Sequence, residues 1–335
     1  MTNKENVHRC QFEHEDFGRA DGYRCDGTNQ CWMTDTRRYG IEHLCIFHMP
    51  EKEIDESSAE LQSCTLLSLI EEWNDEEGVE SFVMSGMQCG TVEFNGFSFK
   101  SNIIFSDATF SGDAWFTDAT FSGFASFIGA TFSRGAWFTN STFSRGAWFT
   151  DATFSRNAWF IDATFNGGAE FQGATFSGNA RFIDATFGGV AGFRHATFGG
   201  NATFLKATFS GDGEFTDATF NRGAWFKDAT FNRGAWFADA TFGGDAKFVK
   251  AKFRFGPSME QCTFKFAPSF QDASLAQGAD FSLAKFKDTK SRHSPSCYRT
   301  LKVAMNKVSN KRQEAVFYGL EQKSLRSQKE SKWPM

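Results

Sequence analysis

Proline and tyrosine are scarce in this sequence, with five and four residues respectively among 335. No apolar run approaches the ~20 residues needed to cross a bilayer. So little proline excludes collagen-like and proline-rich chains, and the missing apolar run argues against a membrane span. The first ten residues, MTNKENVHRC, lack the apolar stretch of a secretory signal, so a cytoplasmic location is expected. Eight cysteines at irregular spacing, with no export signal, read as thiols or metal ligands of a reducing compartment rather than as disulfides.

Phenylalanine, by contrast, is present 43 times, an excess that points to a repeat. Phe110, Phe116, Phe121, Phe127, Phe132 and Phe138 are separated alternately by 6 and 5 residues. Extended from Phe94 to Phe286, that rhythm has 36 positions, of which Phe fills 34, and Met259 and Leu275 fill the others. Two residues before each lies Ala in 28 cases, with Ser141, Gly213, Pro257, Cys262 and Pro268 also small. Val92, Phe97 and Ile103 are larger and stand at the start, where a terminal repeat is expected to deviate.

Ala-x-Phe is a two-residue alternation, so Ala and Phe point one way and x the other. Ser, Thr, Gly, Asn, Asp and Arg between the units supply turn chemistry. A right-handed coiled coil also has an eleven-residue period. Steps of 5 and 6 at 100° per residue would, however, scatter the Phe side chains about 140° apart, and Gly would weaken such a helix. Short extended pieces that turn a corner after each Phe remain: an all-β solenoid.

Units such as ATFSG, AWFTD and ATFSR resemble the pentapeptide-repeat family, in its Phe-rich variant with one extra residue in every second unit. The resemblance implies a right-handed, quadrilateral β-helix with four units per coil. Four units would take 22 residues, giving about nine coils over 92–286 and a rod of roughly 40 Å at ~4.8 Å per coil. Asp118, Asp151, Asp162, Asp184, Asp217, Asp228 and Asp239, each just before an Ala, are expected to cap corner N–H groups.

A 22-residue coil stacks Trp115, Trp137 and Trp159 on one face, with Trp225 further along it and Trp148 and Trp236 opposite. Trp115, Trp137, Trp159 and Trp225 are a candidate partner-binding strip, the plainer reading being a cross-strand ladder. Arg134 and Arg156 also stack, while Arg145, Arg222 and Arg233 alternate in face. Thr109, Thr131, Thr153 and Thr175 form a hydroxyl array like those of ice-binding solenoids, a reading that the neighbouring Trp residues oppose.

Charge divides the chain. Residues 1–91 hold 7 Lys and Arg against 19 Asp and Glu, net −12; residues 92–286 are net −1; residues 287–335 are net +8. Cys10, Cys25, Cys45 and His48 could form a Cys3His site for a structural Zn2+, with Cys31 as a substitute ligand and His8, His14 and His43 as competitors. The order of these residues is similar to a module that precedes pentapeptide repeats in some archaeal proteins. Residues 1–56 are thus expected to be a zinc module. Residues 57–91 are read as an acidic linker with a capping helix over roughly 57–77, carrying Leu61, Leu66, Leu67, Leu69, Ile70 and Trp73.

After the solenoid, residues 287–296 read as a linker. Tyr298, Leu301, Met305 and Val308 recur at helical spacing, and Asn310 with Gln313 suggests a capping box that opens a second helix. This segment resembles one that follows the repeats in other family members, some of which continue into membrane helices. Lys323, Arg326, Lys329 and Lys332 make it basic, suited to capping the rod, to pairing two copies as a homodimer, to an anionic lipid surface, or to another chain's acidic region.

No convergent polar set suggests an enzyme. The expectation is a non-enzymatic scaffold that binds a protein partner, with no specific nucleic-acid sequence as target. Two rival readings are peripheral membrane association through the basic segment, and protection of a type II topoisomerase by mimicry of DNA. The latter needs a strongly negative rod.

Overall fold

The computed structural model describes residues 81–332 and, upstream of them, one antiparallel pair of two-residue strands, His8–Arg9 and Trp32–Met33. From Ser81 to Phe286 the chain winds as a right-handed β-solenoid of about nine turns, followed by two helices. Each turn gives one short strand to each of four parallel sheets. Face 1 runs from Val92–Glu93 to Ala246–Lys247 and face 2 from Ser98–Phe99 to Lys252–Phe253. Face 3 runs from Ser81–Val83 to Ala235–Trp236 and face 4 from Gln88–Cys89 to Lys285–Phe286.

The register repeats every 22 residues, so like lies on like. Thr120 pairs with Thr142 and Phe121 with Phe143, while Ala136 pairs with Ala158 and Trp137 with Trp159. Two-residue strands are too short to be stable alone; here each is hydrogen-bonded to the turn before and after it. Phe138 N–H donates to Trp159 O at 2.7 Å, and Thr142 N–H donates to Ala119 O at 2.8 Å.

The last residue of each five-residue unit, not the extra residue of the six-residue units, sits in the left-handed region. Asp118, Asp151, Asp162, Asp184, Asp217, Asp228 and Asp239 all have φ between +54° and +60°, and Gly129, Gly173 and Asn140 occupy equivalent corners. Ala119 N–H donates back to Phe116 O at 3.2 Å, closing a four-residue turn with Asp118 third. Gly, Asn and Asp tolerate that position best. The expected role of these Asp residues as caps of corner N–H groups is therefore corrected: they are chosen for backbone conformation. The corner N–H groups are instead met by Asp113, Asn157, Asn179, Asn201 and Asp212, whose Oδ1 atoms accept from the equivalent residue one turn on at 2.8–3.0 Å.

Inside, the Phe rings form four columns. Successive rings in a column stack nearly parallel, as for Phe121 and Phe143 (4.6 Å, 1°) and Phe138 and Phe160 (4.9 Å, 1°). Opposite columns meet edge to face, as for Phe138 and Phe149 (5.4 Å, 84°), while neighbouring columns alternate between tilted and edge-to-face contacts, as for Phe138 and Phe143 (40°) and Phe143 and Phe149 (82°). Stacked and edge-to-face rings are both favourable aromatic geometries. Ala at the facing positions is fully buried and leaves the rings their space.

The solenoid starts at Ser81, eleven residues before the expected boundary at 92. The last part of the segment read as linker, 81–91, is thus the first half of the first turn. Its register is 21 residues, with Phe82 opposite Ile103 and Cys89 opposite Phe110. Toward the other end, Pro257 and Pro268 replace Ala. Proline cannot donate to the ladder, and here the strands shrink to single bridges such as Trp236 to Ser258 and Lys247 to Ser269.

Two helices, α1 (Ser294–Lys307) and α2 (Lys311–Lys332), close that end. Tyr298 and Phe317 meet Phe286 edge to face at 5.9 and 5.4 Å, and Phe317 meets Phe281 at 5.4 Å. The expected linker over 287–296 is replaced by a structured turn around Asp288. Its carboxylate accepts from Lys290 N–H (3.0 Å), Ser291 N–H (2.9 Å) and the Ser294 hydroxyl (2.9 Å). The Tyr298 hydroxyl donates to the Asp288 carbonyl. Asn310 Oδ1 accepts from Gln313 N–H at 3.2 Å, the first half of the expected capping box. The second half is diverted, because Gln313 Nε2 donates to Asp280 on the solenoid at 2.6 Å. Glu321, buried on α2, accepts from Arg299 Nε (2.6 Å) and Lys302 Nζ (2.7 Å) on α1.

Candidate functional site

Trp115, Trp137 and Trp159 are in register on face 1. Their rings stack at 4.6 and 3.5 Å with planes within 7°. All three are half-buried. Because the rings lie face to face along the rod, each shields its neighbour and turns an edge outward. Trp225 lies on the same face, between Thr203 and Lys247, with Lys247 Nζ 5.7 Å from its ring centre. The four indoles therefore do not form one continuous strip: three form a stack and the fourth stands apart.

A local motif positions several of these rings. In Gly-Ala-Trp-Phe at 135–138 and 223–226, a Cβ on the glycine would fall 2.7 Å from the indole nitrogen, so the ring tucks against the corner there. The Nε1 atoms of Trp137 and Trp225 are buried and have no hydrogen-bond partner among the described residues. At Trp137 and Trp225 it is therefore ring carbon, not the N–H group, that faces solvent. The recurring Gly two residues before Trp was a legible signal for this packing.

On face 3, Trp148 stacks on Phe124 at 5.1 Å and Arg145 lies 5.6 Å from the Phe124 ring, while Trp236 is 48% exposed. Arg134, Arg156 and Arg222 stand on the corner leading into face 1, and Arg145 and Arg233 on the corner leading into face 3. The Thr109, Thr131, Thr153 and Thr175 row runs in register on face 4. A second threonine row, from Thr120 to Thr230, runs in register on face 2.

Glu170 and Glu214 share face 3 with Gly192 between them. Burial, and then the charge of Glu214, hold the Glu170 carboxyl above its ordinary range. Neither carboxylate was singled out in the sequence, although their separation of 44 residues is twice the coil.

Three cysteines lie among the described residues, all as free thiols. Burial pushes the Cys89 thiol up, and pushes Cys262 up to about 12. Cys262 donates to the Phe237 carbonyl at 2.9 Å. These thiols are core residues. Cys10, Cys25, Cys31, Cys45 and His48 lie outside the described residues, as does the expected helix over 57–77.

On α2, Lys323, Arg326 and Lys329 are exposed along one side, while Gln313, Phe317, Glu321 and Ser324 are buried on the other. Lys332 ends the helix, with its side chain outside the described residues. No helix among the described residues is long and apolar enough to cross a membrane.

The family model described as pentapeptide repeats (9 copies) matches residues 94–142, 128–175, 171–219 and 213–252. Together these overlapping matches span 94–252, so this part of the four-faced solenoid is similar to pentapeptide repeats. No curated protein and no solved structure matches the chain.

Proposed function

We propose that the protein is a non-enzymatic scaffold, a rod that holds an acidic N-terminal region and a basic helical cap apart and docks a protein along face 1. The observation that supports this reading is the contrast between inside and outside. The interior is filled with Phe and Ala along the solenoid, while the outer chemistry changes from face to face. A rigid indole stack loses little conformational entropy on contact, which suits an interface anchor. A photo-crosslinking residue at Thr139, on the corner beside Trp137, tests it in native cells. Adducts from Thr139 but not from Thr186 on face 2, lost when Trp115 and Trp159 become Ser, support the reading. No adduct, or one indifferent to those substitutions, sinks it.

The net charge of −1 over 92–286 is a poor imitation of a duplex that carries one charge per ~1.7 Å. The protein is expected to give no protection of gyrase supercoiling against a poison at molar excess. The Cys10, Cys25, Cys45 and His48 set, with Cys31 as substitute, is proposed to hold a structural zinc on the strength of its residue types and spacing. Purified protein should carry about one zinc per chain, lost in a Cys45→Ser/His48→Ala variant; protein free of metal without chelator treatment overturns this.

A further inference from the structure

The helical cap is basic in a way that its own carboxylates do not relieve. Glu321 is engaged by Arg299 and Lys302, Glu314 by Lys311, and Asp288 by N–H and hydroxyl groups of its turn. Lys323, Arg326 and Lys329, spaced by three on the exposed side of α2, have no ion-pair partner among the described residues. Gln328 Nε2 donates to the carbonyls of Ser291 (3.0 Å) and Arg292 (3.3 Å), which brings Lys290 and Arg292 beside this part of α2.

The same chain carries the complementary charge. Glu76, Glu77 and Glu80 lie within five residues of Ser81, where the solenoid begins. Five residues reach at most ~18 Å. The basic cap stands about nine turns away, roughly 40 Å at ~4.8 Å per turn, or about five Debye lengths at physiological salt. These carboxylates cannot neutralise their own cap.

We propose that the basic cap of one copy docks on the acidic segment Glu76–Glu80 of a second copy, joining rods head to tail. The inference rests on the scaffold reading and deepens it by naming one partner. The two surfaces are different patches, so the contact is heterologous and leaves a free patch at each end, which permits an open chain of rods. The helices cover the last Phe residues of the solenoid, so the joint is electrostatic rather than a continuation of the sheets, and salt weakens it.

A charge swap on the full-length protein tests this by sedimentation velocity over a wide concentration range at low and high salt. Wild type is expected to form species that grow with concentration and dissolve in salt. A Lys323→Glu/Arg326→Glu/Lys329→Glu variant and a Glu76→Lys/Glu77→Lys/Glu80→Lys variant should each sediment as monomers. Mixing the two should restore association, and combining all six changes in one chain should do the same. All these positions in α2 are exposed, and unchanged thermal unfolding of the variants verifies the fold.

A wild type that stays monomeric overturns the proposal, as does association that survives both variants. Monomeric wild type that binds phosphatidylserine vesicles through the same three basic residues assigns the cap to lipid instead and also overturns it. Face-specific crosslinking at Thr139 is read separately, so a monomeric rod that still yields it removes this inference alone.

Discussion

The solenoid and its helical cap both bury phenylalanine, but they secure it by different means. In the solenoid each ring is held between copies of itself, as Phe160 is by Phe138 and Phe182 at 4.9 Å on either side. Backbone ladders supply most of the hydrogen bonds, so the fold there leans on ring packing and little on individual polar side chains. In the cap, Phe317 and Tyr298 depend on one-off polar contacts: Asp288 in its turn, Gln313 to Asp280, and Glu321 between two cations. Repetition spreads stability over many equivalent positions, whereas a cap concentrates it in few.

The largest expected effect breaks the solenoid side. Phe160→Ala opens a cavity between two stacked rings and should cost about 3–5 kcal/mol, read by chemical denaturation. A loss below that of a surface substitution would mean that the columns relax to fill the gap.

The cap should answer next to loss of one charge. Glu321→Ala leaves Arg299 and Lys302 without their acceptor and is expected to cost about 2 kcal/mol. Hydrogen exchange should localise the loss to α1 and α2, with the solenoid unchanged.

Acid should separate the regions without mutation. Burial would raise the Asp288 carboxyl, but the Ser291 side chain, Ser291 N–H, Lys290 N–H and Ser294 hold it down to about 2. Burial likewise opposes, and Lys302 and Arg299 outweigh it in lowering, the Glu321 carboxyl. With folded values below the unfolded ones, the unfolded chain takes up protons first as the pH falls. The stabilisation is therefore whole above the ordinary carboxylate range of about 4 and disappears on the way down to 2. Exchange protection over 294–332 should fail there before that over 120–250; simultaneous failure contradicts the distinction.

The smallest expected effect lies at the junction of the two regions. Leu283 stands at a left-handed corner, φ +59°, and is 70% exposed, where most other turns use Asp, Asn or Gly and the rest use His195, Lys206, Lys250 or Gln261. Leu283→Gly removes that conformational penalty and should stabilise by about 1 kcal/mol, measurable as a raised Tm.

Legibility in the sequence followed the repetition. The Phe rhythm disclosed the alternating five- and six-residue units, and the resemblance to pentapeptide repeats supplied four units per coil, from which the 22-residue coil and the Trp115, Trp137 and Trp159 register follow. The first turn escaped because its sizes are exchanged: Phe82 fills a position that elsewhere holds Ala, and Cys89 one that elsewhere holds Phe. The corner Asp residues were recognised as turn residues, yet their left-handed backbone is not visible in a residue name. Gln313 was read as a reciprocal cap because Asn310 lies three residues before it. Its side chain bonds Asp280, 33 residues away, a partner that no local pattern encodes.

By itself, then, the sequence determined which residues share a face, since a 22-residue turn places identical neighbours on one another whatever else the chain does. Only the tertiary structure decided what happens once. The end of the rod, the clamp on Glu321, the turn at Asp288 and the edge-out orientation of the indoles each depend on contacts between residues far apart or on the space left by a glycine. Such contacts have no second copy in the chain from which to be inferred.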